Sequence, residues 1–228
     1  MALLFSVIIA AGIGVGGYFF TRYYFKSKET EEEHFEYTRK QKLVFIAAAA
    51  VIFAAVAVCF PLLIKPEDKG IFEILRTVTA TLALFYVAII DYKFKVIPNK
   101  YLLGLLGLTV ALLGAEAIFE FGGFRFTIVM SLLGSLVCGT LFMITNLVSR
   151  NGLGMGDVKL MYIIGLLVGL DDALGGLIWT FGMSAVYGIV LMIMKKLKMK
   201  SRIALGPFFF LGFLGSNIMY IVSGYMGG

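Results

Sequence analysis

The chain has 228 residues, of which 60% are hydrophobic and 15% charged, with a formal net charge of +6. A soluble globular domain carries roughly 25% charged residues, so this chain has too few polar side chains to cover a water-facing surface and reads as a polytopic membrane protein. Its positive charge lies in short segments between apolar runs, with no nucleic-acid motif beside it. That excludes nucleic acid as a partner and leaves the lipid bilayer.

A helix that crosses the hydrocarbon needs about 20 mostly apolar residues. Eight stretches read as spans: 2–20, 43–64, 71–90, 101–119, 125–148, 157–170, 174–194 and 203–224. The expected fold is therefore all-α, with about eight transmembrane helices in a single membrane-embedded domain over 1–228. No charge precedes the first run and basic residues follow it, which fits a first span rather than a cleaved leader. The sixth run is short, and Gly165 and Gly169 within it suggest close helix packing.

Segments 21–42, 91–100, 150–159 and 195–202 hold 16 of the 20 basic residues, against Lys65, Lys69, Arg76 and Arg125 on the opposite side. Positive charge stays cytoplasmic, so both termini are expected outside the cytoplasm, in a multi-pass protein of the cell inner (cytoplasmic) membrane. Segment 21–42 is the one long polar stretch, a cytoplasmic loop between the first two spans with pairs such as Glu36–Lys40. His34 within it reads as a solvated surface residue. Cys59 and Cys138 lie in apolar runs and read as small packing residues rather than a disulfide or metal site.

Two acids differ from the rest. Asp91 directly follows the third apolar run, in IIDYKFKVIPNK, and Asp157 directly precedes the sixth, in NGLGMGDVKL. A carboxylate facing lipid there costs on the order of 2–3 kcal/mol, so such residues turn inward or toward water and mark function. Asp157 can also serve as a helix N-terminal cap, where the dipole favours an anion. Asp91, at a helix C-terminus, has no such local explanation.

Gly152, Gly154 and Gly156 alternate ahead of Asp157, leaving room for an extended peptide to approach the carboxylate. Pro98 and Asn99 after Asp91 mark a turn that restarts the chain as the next helix. Both acids then project from the same side of the membrane. Two adjacent carboxyl groups share a proton, so one activates water while the other protonates the substrate carbonyl or leaving amine. The residues alone also admit a proton-coupled transporter using the paired acids, or a non-catalytic scaffold. Transporter acids, however, usually lie near the bilayer midplane.

The combination of D-x6-P-N (Asp91, Pro98, Asn99), G-x-G-D-x-K (Gly154, Gly156, Asp157, Lys159) and the G-P-F stretch at Gly206 and Pro207 resembles the type IV prepilin peptidases. The resemblance covers residues 80–215. It implies an aspartic endopeptidase that cleaves the leaders of prepilin-like or pseudopilin-like substrate proteins at the cytoplasmic membrane face, with Asp91 and Asp157 catalytic and no metal or other cofactor. Gly154, Gly156, Lys159, Pro98 and Asn99 become supporting or substrate-binding positions. Bifunctional relatives carry two CxxC pairs in the first cytoplasmic loop, associated with N-methylation. Loop 21–42 has no cysteine, and such a site requires four thiolates, so methyltransferase activity is not expected. Another G-x-G-D intramembrane protease is the alternative within the enzyme class, though its acids belong deeper in their spans.

Overall fold

Long apolar runs can satisfy their backbone groups in one way inside a bilayer, as α-helix. The computed structural model describes residues 70–149, 153–194 and 205–226, and these residues are all-α. The helices are α1 (Ile71–Phe94), α2 (Asn99–Phe119), α3 (Phe121–Val148), α4 (Met155–Val168), α5 (Leu170–Ile193) and α6 (Gly206–Met226). Pro98 caps α2 and Pro207 is the second residue of α6, both positions where a missing N–H does no harm. Among the described residues, four stretches are long and apolar enough to cross a membrane: Ile71–Tyr92, Asn99–Phe119, Gly122–Val148 and Leu170–Ile193. The expected spans 2–20 and 43–64 and the loop 21–42 lie outside the described residues.

The chain divides into two compact units, Met1–Leu82 and Ala83–Gly228, and the second contains both aspartates. Within it α4 is the central helix, touching α2, α3 and α5. Leu160, Met161, Ile164 and Leu167 are buried on it. Its 14 residues rise about 21 Å, short of the ~30 Å hydrocarbon core. The helix stops at Gly169, whose φ of 87° is left-handed and strained for any residue with a Cβ. The sixth and seventh stretches consequently run 155–168 and 170–193, rather than 157–170 and 174–194.

Small residues let the backbones close up, the usual basis of helix association in lipid. A Cβ at Gly134 of α3 would sit 2.6 Å from the Gly165 carbonyl oxygen of α4 and 2.7 Å from Gly169. On α5, a Cβ at Gly176 would meet the Phe213 ring of α6 at 2.6 Å. Aromatic rings fill the layer beneath the site: Phe142 of α3 packs against Phe181 of α5 and Phe209 of α6, and Phe85 of α1 against Phe210. Buried threonine hydroxyls bond backbone carbonyls: Thr109 Oγ1 donates to that of Leu105 at 2.8 Å, and Thr180 Oγ1 to that of Gly176 at 2.7 Å, with the Phe208 carbonyl of α6 at 3.3 Å. By contrast, Val129, Leu132, Leu136, Ile178, Val186 and Ile189 on α3 and α5 are exposed, an apolar surface suited to lipid.

Candidate active site

The apolar run of α1 carries the helix past Ile90 and through Asp91, to an end at Phe94. Lys95 then takes φ 51°, and its N–H donates to the Asp91 carbonyl at 2.8 Å, a left-handed closure of the helix. Asp91 is only 6% exposed and lies near the negative end of the α1 dipole, where an anion is disfavoured. The compensation comes from another helix. At the start of α6 the Gly206 N–H donates to Asp91 Oδ2 at 2.7 Å, a buried bond to a helix N-terminus, where unpaired N–H groups and the dipole both favour negative charge. Contact this close requires glycine: a Cβ at Gly206 would fall 2.8 Å from Asp91 Cβ and 3.2 Å from Ala88 Cα.

Asp157 is the third residue of α4, inside the helix rather than ahead of it. Gly154 is the N-cap, and its N–H donates to Asp157 Oδ2 at 3.2 Å. That is the carboxylate half of a capping box, so Asp157 does cap its helix, but with one oxygen. Oδ1 is buried and has no hydrogen-bond partner among the described residues. The charge of Asp91 acts on the Asp157 carboxyl. The two acids, remote in sequence, are thus electrostatic neighbours.

The loops that follow and precede them meet directly. Pro98 is buried and caps α2, its carbonyl accepting from the Tyr101 N–H at 3.1 Å and the Leu102 N–H at 3.2 Å. A Cβ at Gly156 would come within 2.9 Å of Ile97 Cβ, so the first turn of α4 lies against the α1–α2 loop. Lys159 Nζ donates to Asn99 Oδ1 at 3.0 Å, joining α4 to the start of α2. On α2, Tyr101 Oη reaches back to the Ala83 carbonyl of α1 at 2.9 Å.

The seven residues expected to form the site therefore fall on three adjoining segments: Asp91 at the end of α1, Pro98 and Asn99 at the start of α2, and Gly154, Gly156, Asp157 and Lys159 across the start of α4, while Gly152 lies outside the described residues. Two further positions, Ile97 and Lys95, escaped that selection, and Gly206, quoted there as part of the G-P-F motif, had no role assigned to it. Ile97 forms the wall against Gly156, Lys95 closes α1, and Gly206 holds the Asp91 carboxylate. For Gly206 a signal existed, since glycine–proline at the head of an apolar run marks a helix N-terminus. Chemically, two carboxyl groups that sense each other, one buried and one half-buried, resist joint ionisation and retain a proton between them. One can take a proton from water while the other gives one to a carbonyl oxygen.

A family model, the type IV leader peptidase family, matches residues 78–193, just over half of the chain. No curated protein and no solved structure matches it.

Proposed function

Because the chain belongs to the type IV leader peptidase family, we propose that it is an integral-membrane aspartic endopeptidase that removes the leader from type IV prepilin-like or pseudopilin-like proteins at the cytoplasmic face of the cell membrane. The observation that carries the reading is the pairing of Asp91 with Asp157: the charge of one acts on the carboxyl of the other, and each accepts an N–H from a glycine at a helix start. Hydrolysis by such a pair needs no metal. The carboxylate accepts a proton as water attacks the scissile carbonyl carbon, and the protonated partner donates to the carbonyl oxygen. Collapse of the tetrahedral species breaks the C–N bond and protonates the departing amine. The pair titrates as a unit, so base and acid are roles of the dyad rather than of a named residue.

On this reading Gly154, Gly156, Lys159, Pro98 and Asn99 support the dyad. The whole chain forms one membrane-embedded unit of eight spans, with both termini outside the cytoplasm, as the distribution of basic residues supports. Loop 21–42 supplies no thiolate for a four-cysteine zinc site, so the reaction is peptide cleavage without N-methylation through such a site. Purified protein in lipid vesicles is expected to cut a prepilin-like substrate once, seen as the mass loss of the leader. A substrate left at full mass by folded, inserted protein overturns the reading.

A further inference from the structure

Lys159 is oddly placed for a residue that merely helps its helix. It stands in the second turn of α4, near the positive end of the dipole, where a cation is disfavoured. Nor does it face the Asp157 carboxylate, since residues two apart on a helix point to different sides. Its Nζ instead donates to Asn99 Oδ1 at 3.0 Å, although both side chains are exposed and water was available to each. Asn99 is the first residue of α2 and follows the loop that descends from Asp91. One turn earlier Gly156 packs against Ile97 of that loop, so the segments are joined both by packing and by a charge-assisted hydrogen bond.

We propose that Lys159 is a positioning residue: its bond to Asn99 fixes the first turn of α4 against the Asp91–Asn99 segment and so sets the separation of the two aspartates. The inference rests on the leader-peptidase reading above. Two carboxyl groups that share one water and one proton tolerate little play, and a displacement of about 1 Å at a reacting group costs up to about a hundredfold in rate. Losing one contact while the packing of Gly156 on Ile97 remains is a smaller disturbance, of roughly tenfold.

The test is a two-residue cycle on the full chain in lipid, with kcat and KM for leader removal as readouts. Lys159→Met and Asn99→Ala are each expected to lower kcat roughly tenfold at unchanged KM, and the double variant to fall no further, because both single changes break the same bond. Lys159→Arg, which keeps a donor, is expected to recover most of the rate. Two results overturn the proposal: a double variant whose losses multiply, or a rise in KM at constant kcat, which makes Lys159 a substrate contact. Should Lys159→Met fail to insert, Asn99→Ala and Lys159→Arg still decide, since an unchanged kcat in Asn99→Ala refutes the tie. Asp91→Asn run alongside separates the two levels. Cleavage by that variant refutes the dyad itself, whereas an inert Asp91→Asn with multiplying losses at 99 and 159 refutes only the positioning role.

Discussion

The Gly206 N–H reaches Asp91 Oδ2 at 2.7 Å, so the carboxylate at the end of α1 is held by the beginning of α6. An acid at a helix C-terminus is electrostatically misplaced within its own helix. It becomes tenable here because a second helix turns its N-terminus toward it. The last described helix is therefore part of the candidate site and not only part of the scaffold.

Gly206 consequently has two requirements, an N–H and no Cβ. Gly206→Pro removes the donor, and a hydrogen bond to a charged group contributes about 1.5–3 kcal/mol, so cleavage is expected to fall roughly ten- to hundredfold. Gly206→Ala keeps the donor but places a methyl 2.8 Å from Asp91 Cβ. It too is expected to depress kcat, by displacing the carboxylate. Leader removal by inserted protein measures both, and wild-type rates in Gly206→Pro would contradict the assignment.

The dyad proton sets the pH response. The two carboxyl groups hold one proton between them, and that proton leaves as pH rises. Cleavage, which needs one proton on the pair, is expected to decline at alkaline pH. A pH profile of kcat/KM flat to about pH 9 would contradict this.

The glycines of the helix interfaces should separate cleanly from the others. Gly134→Ala puts a methyl into the backbone of α4, 2.6 Å from the Gly165 carbonyl oxygen, while Gly107 and Gly182 have nothing within 4 Å of the corresponding position. Overpacking of a tight contact costs about 1–3 kcal/mol. Gly134→Ala is expected to lower Tm, and Gly107→Ala and Gly182→Ala to leave it within error.

Hydropathy made the helices legible because each described run is long, apolar and bounded by charge or glycine. It misjudged ends for local reasons. Lys95 could adopt a left-handed φ only after one further turn beyond Ile90, so α1 continues through Asp91 to Phe94. Gly154 is the N-cap, so Asp157 starts inside α4. The motif residues of the candidate site could be named because glycine, proline and acid stand out against an apolar background. Their contacts could not: Gly206 with Asp91, Gly156 with Ile97 and Lys159 with Asn99 join segments that no local periodicity relates. Ile97 in particular looks like any apolar loop residue until the missing Cβ of Gly156 shows what it packs against.

The most direct test of the dyad compares the initial rate of leader removal by wild type, Asp91→Asn and Asp157→Asn at matched insertion in lipid vesicles. Each asparagine keeps an oxygen for its glycine N–H and removes the ionisable group. Both variants are predicted to lose cleavage entirely while remaining folded. Near-normal cleavage by either one would contradict the claim that Asp91 and Asp157 act as a catalytic pair.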